Sequence, residues 1–299
     1  MRARLRLPAL FIAFVVVCTA SLAKPPTVAA STHVIQNAWD LYFEPTDGDG
    51  TRVTSAKFNG VLVFASSALV YIFVNYASGT CCTDNLGNSV RKTGPTKSNV
   101  TNGFSISATY CFGTCKPWDA TDSFGYKYVE TYTFLSSGEW KANLNVYGPG
   151  LQPSSTYEIF WRVDYDISTG SSNSFQRFNS GGWQNQTTEH EYYDDYANAS
   201  GGYEWRQNGG GRSYSVDPLS ATIEYGDLAV LFHAGELGGS GSKQYPGALY
   251  DNNESIGSAD IVEWYHGFRT YSRPSGCTSG GAGCTTAFPV YFRAVPSAY

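Results

Sequence analysis

The sequence predicts an all-β fold, a large antiparallel β-sandwich. Residues 157–167 carry apolar or aromatic side chains at every odd position and charged ones at four of the five even positions. This period of two is the pattern of a half-buried strand. Charged residues make up only 15% of the chain and aromatic residues another 15%, and the aromatics stand between Gly- and Ser-rich turns, as in strands. No long amphipathic helical pattern is present, so many short strands predict a sandwich or barrel.

The predicted strands follow one another along the whole chain. They cover residues 34–43, 52–66, 69–76, 103–112, 126–134, 139–147, 157–167, 202–206, 213–216, 221–225, 227–233, 260–265 and 288–295. The alternating segments 126–134 and 139–147 flank Ser136-Ser137-Gly138, which predicts a hairpin. Residues 168–202 are polar and rich in Gly, Ser and Asn, so we expect an irregular excursion there. With no repeat and no linker, residues 24–299 predict a single domain.

The N-terminus has the features of a secretory signal peptide. Arg2, Arg4 and Arg6 precede an apolar run at residues 9–17, and small residues end the segment near Ala23. We therefore expect residues 1–23 to be removed and the protein to be secreted and extracellular. No later segment reaches the ~18 apolar residues of a membrane span, and a net charge of -5 disfavours nucleic acid as a partner.

Cysteines and glycosylation sequons fit an extracellular protein. Outside the signal peptide there are six cysteines, an even number that predicts three disulfides. We expect Cys277 to pair with Cys284 across a Gly-rich loop. We expect Cys81 and Cys82 to pair with Cys111 and Cys115, in an order that the sequence leaves open. Sequons predict a glycosylated surface; they stand at Asn99, Asn185, Asn198 and Asn253.

Several segments between residues 125 and 299 resemble, in order, the catalytic β-sandwich domain of copper amine oxidases. Gly125-Tyr126-Lys127-Tyr128-Val129 and Gly138-Glu139-Trp140 are similar to the hairpin around the family's cofactor tyrosine. Phe160-Trp161-Arg162-Val163-Asp164 resembles the strand that carries its His-x-His copper ligands, and residues 254–265 and 288–299 resemble later family segments. The resemblance implies a β-sandwich and a homodimer. In the family, primary amines are oxidised with copper and topaquinone, which forms from a tyrosine.

The resemblance also assigns functional positions. It places the cofactor precursor at Tyr126 and the catalytic base at Asp84. The His-x-His positions fall on Ser155 and Tyr157, and the third ligand falls on Thr270 or, with a one-residue gap, on Tyr271. Hydroxyl groups replace imidazole poorly on copper. We therefore expect no bound metal, no topaquinone and no amine oxidase activity, but a binding or structural role toward a ligand that the sequence does not identify.

Two alternatives have specific support in the sequence. A divergent copper-dependent amine oxidase would take its ligands from His266, His233 or His190; His266 lies four residues before Thr270 and would share its strand face. That hypothesis requires imidazoles to converge beside Tyr126. A carbohydrate-binding module is the second alternative, because Tyr and Trp offer flat apolar faces with a polar handle. The acidic run at residues 189–195 fits either a solvated loop or a calcium site.

Overall fold

The computed structural model describes most of the chain between residues 30 and 298. The described residues are 30–46, 48–76, 81–84, 86, 91–112, 115, 127–148, 154–168, 173–188, 205–217, 255–257, 261–272 and 288–298. They contain sixteen strands and no helix: β1 (Thr32–Gln36), β2 (Trp39–Pro45), β3 (Thr51–Phe58), β4 (Val61–Tyr76), β5 (Cys81–Asp84), β6 (Arg91–Val100), β7 (Gly103–Cys111), β8 (Lys127–Leu135), β9 (Trp140–Tyr147), β10 (Ser154–Tyr165), β11 (Ser174–Asn179), β12 (Gly182–Gln186), β13 (Trp205–Gly209), β14 (Arg212–Asp217), β15 (Ile261–Ser272) and β16 (Phe288–Ala298).

The strands form two antiparallel sheets that pack face to face, which confirms the predicted all-β sandwich. The first sheet has the order β1-β2-β3-β4-β10-β15, and β5 also pairs with β4. The second sheet has the order β12-β11-β13-β14-β16-β9-β8-β7-β6. Strands distant in sequence therefore lie side by side: β10 pairs with β4 and with β15, and β9 pairs with β16.

A continuous aromatic core joins the two sheets. Trp140 on β9 is fully buried, and its ring lies 4.6 Å from that of Phe64 on β4 and 6.3 Å from that of Tyr165 on β10. Phe292 on β16 contacts the same indole edge to face, at 5.1 Å. Burying one large apolar side chain stabilises a fold by about 1.5–3 kcal/mol, so these rings contribute strongly to holding the sheets together.

Strand β10 is more deeply buried than its alternating sequence predicts. Its odd positions, from Ser155 to Tyr165, face the core as expected, but Phe160 and Arg162 on the opposite face are buried too. Phe160 belongs to a second apolar cluster on the outer face of the first sheet, with Ala68, Val70, Val262 and Trp264. The expectation of a half-buried strand is therefore wrong for its middle, because apolar residues on β4 and β15 bury its outer face there while the second sheet covers its inner face.

Two segments expected to be single strands are hairpins. Residues 34–43 contain the turn Asn37-Ala38 between β1 and β2, and residues 52–66 contain Asn59-Gly60 between β3 and β4. Asn59 and Gly60 both have positive φ, at 49° and 76°. A two-residue hairpin turn of this type requires such angles, and Asn-Gly is its strongest sequence signal. Strand β4, in contrast, runs unbroken where two strands were expected.

Three polar strands escaped the sequence analysis. Strand β6 is largely exposed at the edge of the second sheet, and β11 and β12 lie at its other edge, within the segment expected to be irregular. Edge strands with both faces largely in solvent lack the apolar alternation that identifies a strand. The strands expected at 221–225 and 227–233 lie outside the described residues. No helix in the described part of the chain is long and apolar enough to cross a membrane.

Candidate functional site

The two positions that correspond to the His-x-His ligands lie together on the inner face of β10. Ser155 is 2% exposed and Tyr157 is fully buried. Strand alternation directs both toward the second sheet. The Ser155 hydroxyl forms no hydrogen bond with the described residues. The structure therefore brings these two hydroxyls into the core, where the family resemblance implies imidazoles.

The beginning of β8 packs over this end of β10. The ring of Tyr128 meets the ring of Tyr157 edge to face at 6.2 Å, and Phe112 meets Tyr128 at 5.6 Å. Tyr126, the cofactor-precursor position, lies outside the described residues, one residue before β8 begins. The contact between Tyr128 and Tyr157 therefore joins a residue two positions after the predicted precursor with a residue at a predicted ligand position, across the two sheets.

The third predicted ligand position, Thr270, lies away from the other two. Thr270 is exposed, and its hydroxyl forms a 2.8 Å hydrogen bond with the hydroxyl of Thr156 on the outer side of β10. The register pairs Ser155 with position 271 and Tyr157 with position 269. Position 271, the alternative left open in the sequence, therefore has its backbone opposite Ser155, and its side chain lies outside the description.

The histidines proposed as replacement ligands are only partly described. His266 lies on β15, where its backbone pairs with Phe160, but its side chain is outside the description, as are His233 and His190. His33 is exposed; its Nε2 lies 2.6 Å from Asp40 Oδ1, and its ring stacks on Tyr42 at 4.3 Å. The predicted base Asp84 lies on β5, with its backbone paired to the inward-facing Ile72.

The cysteines and sequons are described in part. Cys111 and Cys115 are free thiols joined by the turn in which the Cys115 N–H donates to Phe112 O at 3.1 Å. Burial, followed by the hydrogen bond to Cys115, raises the pKa of Cys111 to about 12. The side chains of Cys81 and Cys82 are not described, and Cys277 and Cys284 lie outside the description together with Asn198 and Asn253. Asn99 and Asn185 are exposed.

The donors that the structure places at the predicted ligand positions do not fit copper. Copper in nitrogen sites is bound by neutral imidazoles that converge on one point. Here, Ser155 and Tyr157 offer hydroxyl oxygens, and Thr270 lies on the opposite face. Among the described residues, no group of three or more His, Cys, Asp or Glu side chains is arranged to hold a metal ion.

The sequence analysis missed a buried glutamate in the second sheet. Glu130 on β8 is 1% exposed, and its Oε2 accepts hydrogen bonds from the Thr51 N–H at 2.7 Å and the Tyr110 hydroxyl at 2.9 Å. Burial raises the pKa of Glu130 to about 7. Its position in the alternating segment 126–134, among Tyr128, Tyr132 and Phe134 on the apolar face, was the signal that could have revealed it.

A second buried glutamate lies on the edge strand of the first sheet. Glu263 on β15 has no exposed surface, and the Tyr265 hydroxyl donates a hydrogen bond to its Oε2. The Tyr265 hydroxyl also lies 3.2 Å from that of Tyr165. Burial raises the pKa of Glu263 to about 8, so its carboxyl group is largely protonated at neutral pH. Tyr165 and Tyr265 have pKa values raised by burial as well.

Comparisons with known proteins support the fold. No protein-family model matches the chain, and no curated protein matches it. Among solved structures, a copper-containing benzylamine oxidase from Hansenula polymorpha superposes with a TM-score of 0.58 at 10% identity, over 99% of this chain and 63% of that one. An amine oxidase from Aspergillus nidulans gives 0.55 at 12% identity, over 98% and 55%. A lysyl oxidase from Pichia pastoris gives 0.55 at 12%, over 88% and 51%.

These superpositions show a fold related to that of copper amine oxidases. The chain spans between half and two-thirds of the length of each of those enzymes. Because a shared fold hosts different functions, activity has to be argued from the site itself.

Proposed function

We propose that this chain is an extracellular β-sandwich with an amine-oxidase-like fold that has a binding or structural role and does not oxidise amines. The observation that supports this proposal best is which side chains stand on the inner face of β10, near the start of that strand. Ser155 and Tyr157 stand where the resemblance requires imidazoles; both are buried, and Tyr157 packs against Tyr128. Without imidazoles at these positions there is no copper centre, and without copper Tyr126 has no route to a quinone.

Packing around Tyr157 supports this proposal. Its ring fills space between the sheets by contacting Tyr128, which in turn contacts Phe112. Large aromatic rings in edge-to-face contact are typical of a structural core. We therefore interpret this end of the sandwich as a packed aromatic core.

The proposal is tested on protein secreted by a eukaryotic host and dialysed against copper. We expect no stoichiometric copper by elemental analysis, no quinone stain and no hydrogen peroxide release with benzylamine. Tyr126→Phe is the matched control, because it removes only the hydroxyl from which a quinone would form. Wild-type protein that binds no stoichiometric copper and matches Tyr126→Phe in the quinone stain and in peroxide release supports the proposal. Copper with a quinone signal that Tyr126→Phe lacks would overturn it.

The peroxide assay also tests the alternative that the protein is a copper-dependent oxidase. A divergent oxidase that takes its ligands from His266, His233 or His190 predicts peroxide release that His266→Ala reduces at least tenfold. His33→Ala is its control, since His33 is exposed and pairs with Asp40.

The described aromatic residues do not favour a carbohydrate-binding module. Five tryptophans are essentially fully buried: Trp39, Trp140, Trp161, Trp205 and Trp264. Trp183 is half-buried beneath the guanidinium of Arg206, 3.9 Å from its ring. Among the described aromatic residues, Tyr42 is exposed, and it stacks on His33. The described surface therefore lacks the row of open rings that sugar binding would require.

A further inference from the structure

A predicted glycosylation site lies beside an aromatic ring on the edge strand β12. Trp183 and Asn185 are two residues apart on this strand, so their side chains share one face of the sheet. A strand rises by about 3.3 Å per residue, which separates the two positions by a distance that one sugar ring can bridge. The sequence Trp183-Gln184-Asn185-Gln186-Thr187 therefore places an indole next to the asparagine of a sequon.

Contacts with the neighbouring strands confirm that these side chains stand on the outer face of the second sheet. Gln176 Nε2 on β11 donates to Asn185 Oδ1 at 2.8 Å, and the ring of Phe178 on β11 meets the ring of Trp183 edge to face at 5.4 Å. Gln176 follows Phe175, which is buried in the core. Because neighbouring residues of a strand point to opposite faces, Gln176 and its partners point away from the core.

The Asn185 amide group is oriented for attachment of a glycan. The side chains of Asn185 and Thr187, the first and third residues of the sequon, are both exposed. The hydrogen bond from Gln176 uses the amide oxygen. It leaves available the amide nitrogen, which is the atom that carries an N-linked glycan.

The Trp183 ring is held from the inner side of its strand and keeps part of its surface open. The guanidinium carbon of Arg206 lies 3.9 Å from the ring centre, and Arg206 Nε donates to Ser215 Oγ at 3.3 Å, which holds the guanidinium in place. β12 is the last strand of the sheet in the described chain, and both Arg206 and Phe178 approach from the strands on its inner side. Trp183 is only half-buried, and these two contacts leave the edge side of the ring unused.

We propose that the first N-acetylglucosamine of a glycan on Asn185 packs against the ring of Trp183. The C–H groups of this sugar point to both of its faces, and the negatively polarised face of an aromatic ring attracts them. Arg206 and Phe178 fix the indole before the sugar arrives, which lowers the entropic cost of the contact. The inference rests on the extracellular location in the proposed function, because N-linked glycans are a feature of secreted proteins.

This contact gives the glycan a structural role at the edge of the sandwich. An edge strand presents backbone groups that can pair with a strand of another chain, and proteins protect such edges by covering them. A sugar held against Trp183 covers the outer face of β12 and adds a contact to a strand whose own residues are largely polar.

Asn99 provides a matched comparison within the same protein. It is exposed on β6, the strand at the opposite edge of the same sheet. The residue two positions before it is Lys97, whose Nζ donates to Asn99 Oδ1 at 3.2 Å. A glycan on Asn99 therefore has a lysine where the Asn185 glycan has an indole, and we expect it to contribute little to stability.

The direct test is NMR spectroscopy of protein secreted by a eukaryotic host that adds high-mannose glycans. Endoglycosidase H trims each glycan to a single N-acetylglucosamine, and Asn185→Gln and Asn99→Gln assign the resonances of the two sugars. We expect proton resonances of the sugar on Asn185 to be shifted upfield by the ring current of the indole. Trp183→Ala should remove this shift, and the sugar on Asn99 should show none.

Thermal unfolding of the trimmed protein measures what the contact contributes to stability. Asn185→Gln should lower Tm by about 2–4 °C, whereas Asn99→Gln should change Tm by less than about 1 °C. In the Trp183→Ala background, Asn185→Gln should cause no further fall, because the sugar and the ring act as a pair. Circular dichroism of each variant shows that it is folded.

Two results would overturn the proposal. One is an intact mass that shows no glycan on Asn185. The other is a glycan on Asn185 whose resonances and contribution to Tm are the same with and without the Trp183 ring. The copper, quinone and peroxide assays are independent of both measurements, so a failure of this inference is distinguishable from a failure of the proposed function.

Discussion

At the residue scale, the buried glutamates are the most informative feature of the molecule. Glu130 and Glu263 lie in the core on different sheets, each hydrogen-bonded by a tyrosine hydroxyl. Their pKa values of about 7 and about 8 stand well above the ordinary 4.5, chiefly because burial disfavours the charged form. The stability of the fold should therefore depend on pH across the neutral range.

We predict that the protein becomes less stable as pH rises from 5 to about 8.5. Between the unfolded pKa near 4.5 and the raised folded values, the folded state binds more protons than the unfolded state, so stability falls with pH. One pKa unit corresponds to about 1.4 kcal/mol, so full ionisation of these carboxyl groups costs on the order of 3 to 5 kcal/mol each. Urea unfolding at several pH values measures this.

The matched variants locate that pH dependence. Glu130→Gln and Glu263→Gln should each flatten the profile and should be more stable than wild type at pH 8.5. A wild-type profile that rises with pH, or one that neither variant changes, would show that these carboxyl groups do not control stability.

Gly50 should be intolerant of a side chain. We expect Gly50→Ala to destabilise the protein by about 1–3 kcal/mol, since its β-carbon would overlap the Glu130 carboxyl group and force it to shift. Gly182→Ala is the control, because a β-carbon there meets no atom within 4 Å. Equal free energies of unfolding for the two variants would contradict the close packing at Gly50.

Asn99 and Asn185 should carry glycans. Both side chains are exposed. The Asn99 amide oxygen accepts a hydrogen bond from Gln36 at 3.1 Å, and the Asn185 amide oxygen accepts one from Gln176 at 2.8 Å. These bonds use the oxygen atoms and leave the amide nitrogen atoms available. We expect Asn99→Gln and Asn185→Gln each to remove one glycan mass from the protein secreted by a eukaryotic host. Asn208→Gln, which is not in a sequon, is the control. Intact mass spectrometry that shows no loss would exclude glycosylation at that position.

At the scale of elements, β10 organises the molecule. It pairs with β4 on one side and β15 on the other, and its inner face meets β9 and β16 through aromatic rings. On β9, the ring of Trp140 contacts rings on β4, β10 and β16. The cohesion of the two sheets thus depends on a few rings contributed by strands far apart in sequence.

Removing the Trp140 ring should therefore be among the more damaging single changes. Trp140→Ala should destabilise the fold by about 3–5 kcal/mol, as expected for a fully buried aromatic residue. Trp183→Ala is the control, since Trp183 is half-buried on the edge strand β12 and should lose much less. Comparable losses in the two variants, measured by urea unfolding, would mean that the core contacts of Trp140 carry little of the stability.

At the scale of the whole molecule, fold and activity have to be separated. The sandwich is related in structure to copper amine oxidases, but hydroxyls occupy the inner face of β10 where the resemblance implies imidazoles. A sandwich core tolerates this exchange, because Tyr157 packs against Tyr128 regardless of any metal. The absence of amine oxidation is a prediction that the copper and benzylamine assays will test.

The sequence by itself determined the fold class and most strands, because alternation of apolar and polar residues reflects which face of a strand is buried. It also determined that Ser155 and Tyr157 share a face, since two residues apart in a strand always do. It did not reveal β6, β11 and β12, whose polar faces carry no alternation. Nor did it show that an apolar cluster buries the outer face of β10 around Phe160.

Only the tertiary structure decided which distant residues meet. The register of β10 with β15 put Thr270 beside Thr156 on the outer face and position 271 opposite Ser155, a choice that the sequence left open. The packing of the sheets brought Thr51 to Glu130, about eighty residues later in the chain. Contacts of this kind depend on how strands pair and how sheets stack, and a local pattern of side chains contains no information on either.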